Sequence, residues 1–301
     1  MSGNGRAARR VVLDCDTANE IDDQFAIAYA LGSDALDVLA VISVQNTLVH
    51  GSDSVEIYQR EAQRLVDLAG RPEVPCPQGA ARPMEHPSAG EHSEGIALLA
   101  ELAEEAPLTL LATGPATDAA SFVLHYPQLA DRVEIIWAGA FPDEPTWQRY
   151  KFGELNARAD IQAWRALFDY APALRVLPGW PGVEQVAVSA RPTIERLRAL
   201  GQPLTDYLGA LLEGYVAARD GALDMDDPTR AADRKVLWDI VNVAAVHQPE
   251  SVTWTEQALP QVDPAGAPDW KRTGRTVPFG LQVDAELVLD DLWNALSRIH
   301  G

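Results

Sequence analysis

Cysteine is almost missing from this chain. Two residues in 301, Cys15 and Cys76, cannot build a disulfide framework, so reduced thiols and a cytoplasmic location are expected. Basic residues are scarce as well: 24 Lys and Arg against 44 Asp and Glu leave a formal net charge of -20. A surface that acidic repels nucleic-acid phosphates and anionic lipid headgroups, which excludes nucleic acid and membranes as expected partners and favours a neutral or cationic ligand or a metal ion. No apolar run approaches the roughly 20 residues needed to cross a bilayer. The basic start MSGNGRAARR is followed only by the short run VVL, too little for a signal-peptide core, so residues 1–9 are read as a flexible N-terminus. Internal repeats, low-complexity blocks and linkers are lacking too.

What is present is an ordinary globular balance, 47% apolar and 23% charged, organised as strands regularly separated by helices. RVVLDCD is a strand ending in acids, and IDDQFAIAYALG a helix closed by Gly32. Leu36 to Asn46 is a largely continuous apolar run suited to a strand buried on both faces, followed by an amphipathic helix from Ser54 to Gly70. The alternation continues with a helix over Glu94 to Ala106, a strand over Leu108 to Thr113, a helix opening near Pro115 and a strand over Val133 to Gly139. Beyond these come a helix from Ala157 to Phe168, a strand from Ala173 to Gly179, helices over Thr193 to Arg219 and Lys235 to His247, a strand from Phe279 to Asp284 and a C-terminal helix. Pro72 to Gly90, Pro142 to Phe152 and Pro260 to Thr276 read as loops over a site. The expectation is an α/β fold: one domain over 1–301, an open and mostly parallel sheet flanked by helices.

Chemistry concentrates in Asp14-Cys15-Asp16-Thr17-Ala18-Asn19-Glu20-Ile21-Asp22-Asp23. Acids crowd the C-terminal end of the first strand and the start of its helix, the edge at which open parallel sheets bind ligands. Carboxylates so close repel one another unless a cation neutralises them, and an all-oxygen set without histidine suits a hard ion such as Ca²⁺ or Mg²⁺ better than Zn²⁺. The plainer reading is that Asp22 and Asp23 only complement the helix dipole in the first turn; Asp14 and Asp16 just after a buried strand weigh against it. Cys15, between aspartates that disfavour a thiolate, is read as packing.

LDCDTANEIDDQFAIAYAL resembles the N-terminal signature of the inosine-uridine-preferring nucleoside hydrolase superfamily, D-x-D-x-x-x-D-D and a small-residue helix, in a variant with two additional loop residues that resembles a bacterial branch reading N-E-I-D-D-Q. ATGPATDAA (Ala112 to Ala120), GELNARAD (Gly153 to Asp160), VLWDIVNVAAVHQPE (Val236 to Glu250) and the C-terminal VDAELVLDDLWNALSRI resemble further family segments in the same order. The resemblance implies Ca²⁺ held by Asp16, Asp23 and Asp239 with the Thr113 carbonyl, and a nucleoside substrate whose 2′- and 3′-hydroxyls meet the ion. It implies Asp22 as general base toward a water attacking C1′ through an oxocarbenium-like transition state, and Asn46 as the residue orienting the catalytic aspartate. It also implies ribose contacts from Asn156 and, at the 5′-hydroxyl, Glu154, with Asp14 beside the sugar, and a homodimer or homotetramer.

Two departures stand out. The family's upstream asparagine for the 5′-hydroxyl has no counterpart, since Gln148 is the only amide between Phe141 and Phe152. The histidine that many pyrimidine-accepting members place before the last metal-binding aspartate is replaced by Trp238, which resembles the purine-preferring branch, where an indole stacks on the base. A second indole is not evident in Pro72 to Gly95; Trp147, Trp180 and Trp270 lie in other loops, and the loop histidines His86 and His92 are candidate proton donors to the base.

Three other functions are weighed. A phosphatase with an aspartyl nucleophile shares the D-x-D core at Asp14 but expects Thr or Val at the position of Ala18 and leaves Asp22-Asp23 unexplained. A non-catalytic Ca²⁺-dependent ribose- or nucleoside-binding protein would share the fold. A hydrolase of an unusual N-riboside would share the chemistry.

Overall fold

The computed structural model describes residues 8–219 and 233–299. In chain order the elements are β1 (Arg9–Cys15), α1 (Asp22–Gly32), β2 (Leu36–Ser43), α2 (Thr47–His50), α3 (Ser54–Leu68), α4 (Glu94–Glu105), β3 (Leu108–Ala112), α5 (Thr117–His125) and β4 (Val133–Ala138). They continue with α6 (Glu144–Tyr150), α7 (Leu155–Ala159), α8 (Ile161–Tyr170), β5 (Leu174–Leu177), β6 (Ala187–Ser189), α9 (Ala190–Leu200), α10 (Pro203–Arg219), β7 (Arg234–Val236), α11 (Ile240–His247), β8 (Val252–Val262), β9 (Pro268–Val283) and α12 (Ala285–Leu296).

Seven strands form one sheet in the order β2-β1-β3-β4-β5-β9-β8, parallel throughout except for the β8/β9 pair at one edge. The α/β expectation of an open, mostly parallel sheet flanked by helices holds. Along each central strand, alternate residues feed two cores. Val11, Leu13 and Cys15 pack on one face beneath α1, α11 and α12, while Val12, Leu110 and Ala112 pack on the other beneath α4, α5 and α8. Because β1 lies between β2 and β3, the chain leaves it in opposite directions, and the crevice beyond the strand ends at that switch point is the natural ligand site.

Several local expectations are corrected. Arg9 already opens β1, so the flexible segment expected over 1–9 does not reach that far, and residues 1–7 of it lie outside the described residues. The helix expected from Thr193 to Arg219 is two, broken where Gly201 takes a left-handed φ of 65° ahead of Pro203, a combination that stops a helix. Lys235 does not start a helix: it lies in β7, paired with Val188 of β6, and the helix begins at Ile240. Part of the Pro142 to Phe152 loop is α6, capped by Asp143, which accepts the Thr146 N–H at 2.8 Å.

The segment from Pro260 to Thr276 is mostly strand: it is the turn end of an antiparallel hairpin of β8 and β9. Its exposed, polar positions hide the strand signal, as is usual for an edge. Among the described residues no helix is long and apolar enough to cross a membrane.

Candidate active site

The acidic loop between β1 and α1 is held tightly. Asp14 N–H and C=O lie within the ladder, and the Asp14 carbonyl accepts the Thr113 N–H at 2.9 Å, fastening the end of β3 to the end of β1. Gly114 permits that approach: a Cβ there would stand 2.5 Å from Val44 and 3.1 Å from the Asp16 nitrogen. Ala18, in the middle of the loop, takes φ 85°, a left-handed conformation costly for any residue with a Cβ.

Around the strand ends a cleft of about 300 Å³ is lined by Asp16, Asp22, Asp23, Thr113, Glu154, Asn156 and Asp239 together with Tyr150, Trp180, Trp238 and Lys235. Thus the three expected carboxylate ligands, the expected base, the expected ribose contacts Glu154 and Asn156, and Trp238 meet in one place, although Asp16 and Asp239 are far apart in the chain. Asp16, Asp22, Asp23 and Asp239 are all buried. Burial pushes the carboxyls of Asp23 and Asp239 well above the usual range, and the charges of Asp16 and Asp22 push both further. Asp16 is raised by burial too, against the opposing effect of amides from Asn46 and Asn19. Asp22 reaches about 6, burial outweighing the nearby ammonium of Lys235.

Such a set of buried oxygens, with Asp22, Asp23 and Asp239 each made costlier by a neighbouring carboxylate, fits a hard divalent cation. As the chain stands, no group of three or more Asp, Glu, His or Cys side chains among the described residues is placed to hold a metal ion. Asp23 accepts the Thr113 hydroxyl at 2.7 Å, and the Thr113 carbonyl already takes one hydrogen bond, from Asn156 Nδ2 at 2.7 Å. A carbonyl oxygen has a second lone pair to offer.

Asn46 is buried and donates from Nδ2 to Asp16 Oδ2 at 2.6 Å. The expectation that this asparagine steadies Asp22 is therefore corrected: its partner is Asp16, and Asp22 instead faces Lys235, whose Nζ lies 3.3 Å from Asp22 Oδ1. Asn156 donates both amide hydrogens to carbonyls, of Thr113 and of Ala138 at 2.9 Å. Two carbonyl partners fix which end of the amide is nitrogen, so Oδ1 is left as a hydroxyl acceptor. Glu154 caps α7, accepting the N–H groups of Asn156 at 3.1 Å and Ala157 at 2.8 Å, and burial raises its carboxyl to about 7 in spite of them.

The aromatic wall has three members. Tyr150 stacks on Trp180 with centroids 4.3 Å apart and planes 3° apart, and Trp180 meets Trp238 at 5.0 Å and 59°. Of the loop tryptophans only Trp180 reaches the cleft; Trp147 and Trp270 pack on each other at 6.1 Å.

Four expected site residues stand elsewhere. Gln148 is exposed and accepts from Lys151 Nζ at 3.1 Å. His86 is exposed and pairs with Ser88 at 2.8 Å, and His92 stacks on His125 at 4.0 Å, neither lining the cleft. Asp14 is fully buried and outside the cleft wall, because strand alternation turns it to the face opposite Cys15. Burial and the neighbouring carboxyl of Asp118 on α5 keep its pKa well above normal. A carboxyl so enclosed cannot attack a phosphate, which removes the phosphatase reading. Sequence reasoning missed Lys235 and Tyr150 as cleft residues and gave Glu20 no role beyond membership of the acidic run; the one signal for Lys235 was its place three positions before Trp238.

The inosine-uridine preferring nucleoside hydrolase family model matches residues 11–291. The pyrimidine-specific ribonucleoside hydrolase RihA of Klebsiella pneumoniae strain 342 is 27% identical over 272 residues, covering 82% of each chain. RihA of Escherichia coli O1:K1 / APEC is 25% identical, covering 81% of this chain and 78% of its own. Among solved structures, the plant nucleoside hydrolase PpNRh1 superposes with a TM-score of 0.73 at 20% identity over 97% of this chain and 99% of its own. The purine-preferring ribonucleoside hydrolase from Gardnerella vaginalis does so with 0.73 at 19% over 96% and 98%. At those identities the structures speak for the fold, and the family match over nearly the whole chain speaks for the rest: the chain belongs to the inosine-uridine preferring nucleoside hydrolase family, enzymes that hydrolyse a glycosidic bond.

Proposed function

We propose that this chain cleaves the N-glycosidic bond of ribonucleosides, purine ones first, to free base and ribose with Ca²⁺ as its resident ion. The observation that carries the reading is the meeting of Asp16, Asp23 and Asp239 with Asn156, Glu154 and a Trp180/Trp238 wall in one cleft at the sheet's switch point. Asp16, Asp23, Asp239 and the Thr113 carbonyl would hold the ion. When bound, it supplies positive charge that lowers the pKa of a nearby water and orients vicinal ribose hydroxyls.

The chain's own groups do the rest. Asp16 is the proton acceptor, because it is the carboxylate that Asn46 fixes in direction; Asp22, paired with Lys235, accepts a ribose hydroxyl. This moves the base from Asp22, where the resemblance put it. Asn156 Oδ1 accepts another hydroxyl, and Glu154 faces the 5′ end. The surrounding carboxylates favour positive charge growing on the ribosyl ring.

At the base end the relatives' names divide, pyrimidine-specific for RihA and purine-preferring for the Gardnerella vaginalis structure. Trp238 backed by Trp180 offers a broad aromatic face, which suits the larger bicyclic base. With no cleft histidine among the described residues lining it, the proton for the departing base comes from solvent. The chain works in the cytoplasm, the compartment its few cysteines suit, as a homodimer or homotetramer, the state the resemblance implies.

The test is a panel of purine and pyrimidine nucleosides, followed for free base and reducing sugar with calcium-replete and chelated protein. Ribose release, faster from purines and lost on chelation, is expected. Calcium binding without release from any nucleoside would favour a binding protein or an unusual N-riboside.

A further inference from the structure

Beside Glu154, five further carboxyls line the cleft: Asp16, Glu20, Asp22, Asp23 and Asp239. It also holds a lysine where lysines rarely go. Lys235 is 1% exposed, and an ammonium so enclosed is stable only when paired. Its backbone is fixed in β7 opposite Val188. Its Nζ hydrogen-bonds Glu20, stands 3.3 Å from Asp22 Oδ1 and lies 5.4 Å from the Tyr215 ring centre.

Asp22 and Asp23 are consecutive in the first turn of α1, so their side chains leave the helix about 100° apart. Asp23 is turned to Thr113 and Asp22 to Lys235. We propose that Lys235 is a built-in cation in the place of a second metal ion: it holds Asp22 and Glu20, confines one divalent ion to Asp16, Asp23 and Asp239, and leaves Asp22 aimed at the sugar. The inference rests on the hydrolase reading and adds how the acids are divided. Asp22, next to Asp23, is the carboxylate a second ion would have to use, and the ammonium 3.3 Å from its Oδ1 occupies that side of it.

Lys235 is thus a positioning residue with two separable readouts, ion stoichiometry and substrate affinity. Calcium-free wild type, Lys235→Arg, Lys235→Met and the double variant Lys235→Met/Asp22→Asn are titrated with Ca²⁺ by calorimetry and melted with and without it. Wild type and Lys235→Arg should take one equivalent, Lys235→Met two, and the double variant one again. KM for inosine should rise about tenfold or more in Lys235→Met, as expected when a hydrogen bond to a charged partner is lost, with Lys235→Arg restoring most of it. A Lys235→Met chain that folds only with calcium and then holds two equivalents gives the same answer. One equivalent in folded Lys235→Met, two in Lys235→Arg, or a Lys235→Met chain that calcium cannot restore overturns the proposal. A wild type that takes up no calcium overturns the metal reading beneath it, a result distinct from the other three.

Discussion

Asn46 Nδ2 lies 2.6 Å from Asp16 Oδ2, a buried hydrogen bond between the residue just after β2 and the last acid of the D-x-D pair after β1. It ties the loop after β2 to the loop after β1 and fixes the direction of the Asp16 carboxylate by a side-chain amide. Asp16→Asn should lower kcat by about 10² to 10⁴, the range for loss of a general base. Asn46→Ala should lower kcat by about tenfold or more with a smaller change in KM, in line with loss of an outer hydrogen bond to a ligating carboxylate. Steady-state kinetics on inosine check both, and an unchanged kcat in Asn46→Ala would return the role of base to Asp22.

Glu154 gives a pH dependence with a definite sign. Its carboxyl titrates near 7 in the folded chain against an ordinary 4.5. Between those values Glu154 binds more protons in the folded state than in the unfolded one, so its contribution to stability is fullest below about pH 4.5 and is lost as pH rises through 7, by about 3 kcal/mol at most. Glu154→Gln removes that slope. In calcium-free protein the variant should therefore gain melting temperature relative to wild type at about pH 8 and not at about pH 5; equal differences at both would show that Glu154 is not the group concerned.

The backbone has two positions where a single methyl decides. Gly114→Ala puts a Cβ 2.5 Å from Val44 and 3.1 Å from the Asp16 nitrogen, and should cost about 1–3 kcal/mol as an overpacking change. Ala18→Gly relieves the left-handed φ of 85°, and its native-state gain competes with the greater freedom of glycine in the unfolded chain. Chemical denaturation should show Gly114→Ala clearly destabilised and Ala18→Gly within about 1 kcal/mol of wild type.

Much of this was readable in the chain itself. Apolar strands bounded by acids or glycine, and helices with capped starts, carry strong local signals, and the acids of Asp14 to Asp23 announced a site at the end of β1. Distance in sequence hid the rest. Nothing local says that Lys235 pairs with Asp22, that Trp180 faces Trp238, or that Asn46 chooses Asp16, since each pairing is made by the crossing of elements. The alternation that places Asp14 on the wrong face was legible, but the D-x-D pattern drew attention away from it. The β8/β9 hairpin was missed because an exposed edge with Pro260 and Gly274 carries little of the apolar alternation by which strands are recognised.

Trp238→Ala tests the base end. Loss of one aromatic platform should cost about 1 kcal/mol of stacking and raise KM for inosine more than for uridine, in a direct comparison of the two substrates. An equal effect on both would place the base away from the Trp180/Trp238 wall.

Recognition of ribose by the acidic cleft is tested most directly by the ratio of kcat/KM for inosine to that for 2′-deoxyinosine, measured on calcium-replete protein. A site whose buried polar groups are arranged for a hydroxyl rejects the analogue that lacks it, and a ratio on the order of a hundredfold or more is predicted. Equal turnover of the two would contradict it.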